Sequence, residues 1–132
     1  MSIRLHNDRD GLMIVFKKVD VCIPESSKRM TIIFNFDYQW TNKKGKTWTF
    51  KAGWSSDGHS IPGGIHSFDR LVQAALCHDQ DCENATTYEE RRQGDRDYFD
   101  NMRELGGSRF VAWRRYIAVS GYSRKIKGGF NG

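Results

Sequence analysis

The hydrophobic pattern of this chain changes period at Trp54. Upstream, Leu12 to Ile23, Met30 to Trp40 and Lys46 to Trp54 are rich in Val, Ile, Phe, Thr and Trp with partial alternation, which predicts strands. Pro24 to Arg29 and the polar stretch Thr41 to Gly45 supply turns, so an antiparallel β-meander is the simplest arrangement. Ser55 to Gly64 is dense in turn formers and must be a loop. Beyond it the spacing becomes helical. Ser67 to Cys82 carries Leu71, Ala75, His78 and Cys82 on one stripe, with Phe68 above it. Thr86 and Thr87 stand three residues before Glu89 and Glu90, a capping-box signature for a second helix that ends at Gly106-Gly107 and presents Tyr98, Phe99, Met102 and Leu105. A third helix, Ser108 to about Val119, presents Phe110, Val111, Trp113, Ile117 and Ala118. The reading is an α+β domain over residues 1–122, an N-terminal antiparallel meander followed by a three-helix C-terminal half. A basic, Gly-rich tail, 123–132, is expected to fray and to be dispensable for folding.

Composition supports one packed domain. With 132 residues, 38% of them apolar and 13% aromatic, the chain can bury a core, and the four Trp read as core residues. No apolar run approaches the ~18 residues of a membrane span, and Met1 to Asp10 lacks the layout of a signal peptide. Three cysteines, Cys22, Cys77 and Cys82, are too few for a disulfide scaffold and point to a reducing, cytosolic setting. Charge is uneven: Arg103 to Gly132 holds seven basic residues against Glu104 alone, a balance of +6 within a total of +5, so the first 102 residues sum to −1. Such a basic third can meet nucleic acid, an anionic lipid surface or an acidic protein, or be a solvated helix face with a loose tail.

Two polar residues lie where the helices are otherwise apolar. His78 sits on the stripe of the first helix, and Asp95 shares a stripe with Tyr98, Phe99 and Met102 on the second. A short link around Asn84 to Thr86 makes these helices antiparallel neighbours, so imidazole and carboxylate meet. One reading is a satisfied core pair, each group supplying the partner the other needs. The other is catalytic. Asp79 points about 100° around the helix from His78, and Asp57 lies in the Gly-rich loop, so two carboxylates and loop carbonyls offer the hard oxygen ligands that calcium takes. A neutral His78, its tautomer set by Asp95, can take a proton from water while a cation on Asp57 and Asp79 polarises a carbonyl or phosphoryl group. Zinc at Cys77, His78 and Cys82 is disfavoured because Cys77 lies off the shared stripe. The order His59, His78-Asp79, Asp95 also fits HD-type phosphohydrolases, but their all-helical fold conflicts with the strand-rich first half.

The ordered set Gly53-x-x-x-Asp57-Gly58-x-Ser60-Ile61-Pro62, Ala74-Ala75-Leu76-x-His78-Asp79 and Asp95-Arg96-x-Tyr98-x-x-x-Met102 resembles a family common in tailed phages and prophages, the domain of unknown function numbered 1353, over about Phe50 to Tyr122. The resemblance implies a phage origin, an α+β fold and phage-protein partners. The His-Asp helix with a later aspartate on the next helix also resembles the helix pair of phospholipase A-two. That likeness implies calcium ligands at Asp57, the Gly58 carbonyl and Asp79, with His78 as base and Asp95 as its orienter. Two departures stand out: His59 replaces a small residue, and Cys82 replaces a tyrosine that would buttress the pair. The functions in view are a calcium-dependent esterase or lipase-like hydrolase, a virion structural or assembly component keeping the helix pair as a core, and an inhibitor of a host defence protein. Each places the protein in the host cytoplasm, the second also in the virion.

Overall fold

The computed structural model describes residues 2–7, 12–18, 30–34, 37–56, 60–62 and 71–130. They form an α+β fold, short antiparallel strands followed by three helices, and fall into two compact units, Met1–Gly58 with Gly63–Phe68, and His59–Pro62 with Asp69–Gly132.

In the first unit, β1 (Ser2–Asn7), β2 (Leu12–Lys18), β3 (Met30–Ile33) and β6 (Ser55–Ser56) make an antiparallel sheet in the order β1-β2-β3-β6, while β4 (Tyr38–Thr41) and β5 (Thr47–Phe50) make a separate hairpin. β1 precedes the strands that the alternation predicts. The hairpin register sets Tyr38 opposite Phe50 and Trp40 opposite Trp48. Its turn closes because Asn42 Oδ1 accepts the Lys46 N–H at 2.9 Å and Gly45 takes φ +88°, a value that favours glycine. The single strand expected over Met30 to Trp40 is two strands. Asp37 lies between them, its Oδ1 accepting the Ala52 N–H at 2.9 Å and its Oδ2 meeting Lys51 Nζ at 3.4 Å, so that it serves the turn after β5 instead of a ladder. Ile32, Phe34, Tyr38, Trp48 and Phe50 are buried, with the Phe34 and Phe50 rings stacked at 4.8 Å.

In the second unit, α1 (Val72–Asn84), α2 (Tyr88–Glu104) and α3 (Arg109–Lys125) follow one another through short links. The capping box forms as read: the Thr87 side chain accepts the Glu90 N–H at 3.1 Å while Glu90 Oε1 accepts the Thr87 N–H at 3.2 Å. Ser108 caps α3 through the Val111 N–H at 3.1 Å. Gly106 ends α2 at φ +96°, and a Cβ on Gly107 would lie 2.9 Å from the Met102 carbonyl oxygen, so the glycine pair is sterically required. The first eight residues of α1 are all buried, including Gln73, His78 and Asp79, which exceeds the single stripe expected. Residues 63–70, where the spacing begins that helix, and Cys22 lie outside the described residues. No helix among the described residues is long and apolar enough to cross a membrane.

α3 reverses two expectations. Its buried residues are Ala112, Val119, Ser120 and Ser123, whereas Phe110, Trp113 and Ile117 are 70%, 55% and 49% exposed, so Trp113 is not a core residue. Small side chains let α3 approach α2 closely and turn the large ones outward. Residues 123–130 are also not a frayed tail. Ser123 is fully buried in α3 and its Oγ accepts from Arg91 Nε at 3.0 Å. Beyond a short 3-10 turn, Lys127–Gly129, Phe130 packs edge-on to Tyr88 at 6.4 Å.

Candidate active site

His78 on α1 and Asp95 on α2 meet as expected. Nε2 lies 2.7 Å from Asp95 Oδ1, and both side chains are 0% exposed. The helices are antiparallel here, since Asp81, further along α1, faces Gly94, earlier on α2; a Cβ on Gly94 would lie 3.0 Å from Asp81 Cβ. A glycine beside Asp95 thus brings the two backbones close enough for a short imidazole–carboxylate bond.

The carboxylate is held on both oxygens. Asp95 Oδ2 accepts from Arg92 Nη1 at 3.0 Å, one turn earlier on the same helix, and Arg92 Nη2 donates to the Tyr116 hydroxyl of α3 at 3.2 Å. The guanidinium also lies 5.9 Å from the Tyr116 ring centroid. Bonding to Tyr116 and the nearby Asp95 charge raise the Arg92 pKa against the opposing effect of burial, keeping the cation in place. Arg92 therefore supplies the buttress expected from a tyrosine at the Cys82 position. The Arg92–Asp95 spacing of i,i+3 is a readable ion-pair signal, but Tyr116, from another helix, leaves no local trace.

The rest of the imidazole is packed. Tyr98 lies against it at 4.8 Å between centroids, and Cys82 Sγ sits 3.8 Å from Nδ1 and 3.7 Å from Nε2. Burial, with smaller contributions from Asp95 and Asp79 and a partial offset from Arg91, pushes the Cys82 thiol up to about 12. It is neutral near pH 7 and supplies no nucleophilic thiolate there. With Nε2–H donated to Asp95, the imidazole lone pair is on Nδ1, the atom that can accept a proton.

Asp79 is buried, and its Oδ1 accepts the Ser60 N–H at 3.2 Å, which ties α1 to residues 60–62 of the same unit. Asp57, Gly58 and His59 lie outside the described residues, and among those described no group of three or more His, Cys, Asp or Glu side chains could hold a metal. Asp79 fits calcium chemistry as one hard-oxygen ligand and is the only member of the expected set that is described. An open pocket of about 270 Å³ lies between α2 and α3, lined by Arg96, Phe99, Asp100, Trp113 and Tyr116, and does not include His78.

No curated protein matches the chain, and no solved structure does. Residues 30–119, which contain His78, Asp79 and Asp95, match a family described as protein of unknown function, and the chain belongs to that family, DUF1353.

Proposed function

We propose that this protein is phage-encoded and is a calcium-dependent hydrolase of the esterase or lipase-like class. The observation that carries the reading is the 2.7 Å bond from His78 Nε2 to an Asp95 carboxylate whose other oxygen is fixed by Arg92. That arrangement fixes one tautomer and orients the ring, which a general base needs before it can work repeatedly. In the reaction, Nδ1 of His78 takes a proton from a water, and the resulting hydroxide equivalent attacks the substrate carbonyl or phosphoryl centre. The Asp95 carboxylate stabilises the imidazolium that forms, and Arg92 offsets its charge at rest. The proton then passes from Nδ1 to the leaving oxygen. Asp79, with Asp57 and the Gly58 carbonyl, would hold calcium, which supplies Lewis-acid polarisation of the substrate oxygen.

The test uses the full chain. Hydrolysis of short-chain esters and of phospholipid vesicles is followed with calcium and with chelator, alongside thermal melting. Activity that needs calcium, a calcium-dependent rise in melting temperature and loss of both in Asp79→Asn support the reading. No turnover, with no calcium-dependent melting shift at millimolar concentration, refutes it.

The complete burial of both groups favours a second reading, a virion structural or assembly component whose imidazole–carboxylate pair specifies the packing of α1 against α2. Its mark is the protein's presence in purified particles combined with no hydrolysis.

A further inference from the structure

We propose that the outward face of α3 is a docking surface for an anionic lipid bilayer. At about 100° per residue, taking Arg109 as origin, Trp113, Ile117 and Phe110 fall near 40°, 80° and 100°, one apolar strip along the helix. All three are about half exposed or more, and the residues α3 buries are other ones, Ala112, Val119, Ser120 and Ser123. Trp113 keeps ring contacts to Phe99 at 6.4 Å and to Tyr116 at 5.7 Å on its inner edge, and its outer half lies open. Cations flank it: Arg109 on one edge, Arg114 and Lys125 near 140° and 160° on the other, with Arg124 near the end of the strip and Arg114 over the Phe110 ring at 5.7 Å. From Arg109 to Lys125 the helix has five basic residues and no acidic one.

An apolar strip bordered by arginines and lysine is complementary to the bilayer interface, where rings and an isoleucine enter the acyl boundary while the cations meet headgroup phosphates. A nucleic-acid strand matches the charge but not the apolar strip. Ile117 lies mid-strip and has no π-face on which a base could stack. Self-association would oppose the basic edges of two copies. The proposal is independent of the hydrolase reading, because docking is measured without turnover and uses none of His78, Asp79 or Asp95.

The experiment is co-sedimentation of the full chain with phosphatidylcholine vesicles, with and without roughly one-quarter phosphatidylglycerol. Retention on the anionic vesicles alone, lost near ~0.5 M salt, is expected. Arg109→Gln and Arg114→Gln should each weaken it about five-fold, roughly 25-fold together. Trp113→Ser with Ile117→Ser should abolish it; the two arginine variants should melt within about 1 °C of the parent because those side chains are exposed, while the Trp113/Ile117 variant, which also gives up the Trp113 ring contacts to Phe99 and Tyr116, should melt lower but still in one cooperative transition. The proposal is overturned by equal retention on both vesicle types, by no retention, or by variants that bind like the parent. Binding of a single-stranded oligonucleotide without vesicle binding, or a dimer in sedimentation velocity that the Trp113/Ile117 variant disrupts, would overturn it as well.

Discussion

Asp95→Asn is the sharpest perturbation of the helical unit. Asparagine keeps the shape but halves the acceptor capacity, and Asp95 uses both oxygens, one for His78 Nε2 and one for Arg92 Nη1. The amide resolves the conflict in one way: its oxygen stays on Arg92, and its NH2 turns to His78 and donates to Nε2. The ring proton must then move to Nδ1. The bond to His78 becomes an ordinary neutral one and the bond from Arg92 loses its anionic acceptor, so the buried side of Arg92 is left without a counter-charge, a cost of about 1–3 kcal/mol. The partial exposure of Arg92 at 12% lets water recover some of that loss and places the cost near ~2 kcal/mol. A domain of this size should then melt about 6–8 °C lower. Asp95→Ala, which leaves both partners without an acceptor, should cost about 3–5 kcal/mol. The assay pairs thermal melting with nitrogen–proton correlation spectra of the imidazole. If His78 is the base, Asp95→Asn also lowers turnover by about two to four orders of magnitude, because Nδ1 no longer has a lone pair. A variant that melts within about 1 °C of the parent and keeps its proton on Nε2 would refute the network.

Three further outcomes follow from the same unit. Cys82, with its thiol pushed up to about 12, should resist alkylation in the native protein at pH 8 and react on unfolding, read by site-resolved mass spectrometry; because the folded value lies above the ordinary 9.0, the neutral thiol's contribution to stability is intact below pH 9 and declines above it. Glu90 is held below its ordinary 4.5, chiefly by the Thr86 N–H, so its contribution is present above that pH and disappears as pH falls through the lowered folded value; Thr87→Ala should cost about 1 kcal/mol at pH 7 in a denaturant titration. Arg91 is buried with Nη2 lacking a hydrogen-bond partner among the described residues, so Arg91→Met combined with Ser123→Ala should be neutral or stabilising, and a melting temperature more than about 5 °C lower would show that the cation contributes net stability.

Local signals were legible and cross-element ones were not. The capping box at Thr87 and Glu90 and the Gly106-Gly107 stop act within one turn of chain, and both lie where the spacing places them. The His78–Asp95 meeting needed only two periodic stripes and a short link. Tyr116 could not be read, because its role depends on how α3 rotates against α2. That rotation is set by Ala112, Ser120 and Ser123, whose small size says little in a hydrophobic pattern. Size misled at Phe110, Trp113 and Ile117, where a run of large apolar residues at helical spacing predicts an inward face. Deleting 123–132 illustrates the consequence. The expectation that the domain survives is replaced by loss of Ser123 from the buried side of α3 and of Phe130 from Tyr88.

The helical unit buries polar side chains and displays apolar ones. α2 encloses Arg91, Asp95, Asp97 and Asn101, and α3 adds Ser120 and Ser123, while the largest exposed apolar side chains stand on α3. Burial of charge costs more than burial of leucine-like side chains, even with a good partner. Stability alone therefore does not account for this interior. The network from His78 through Asp95 and Arg92 to Tyr116 joins all three helices by named bonds of 2.7, 3.0 and 3.2 Å. Such a chain holds one imidazole in one orientation, which an apolar core of equal volume would not do. The exposed strip carries the complementary cost, since water contact at Phe110, Trp113 and Ile117 gains nothing for the folded state. A buried polar constellation and an unburied apolar face on the same three helices are two departures from the most stable arrangement, and they fall at the proposed base and at the proposed docking face.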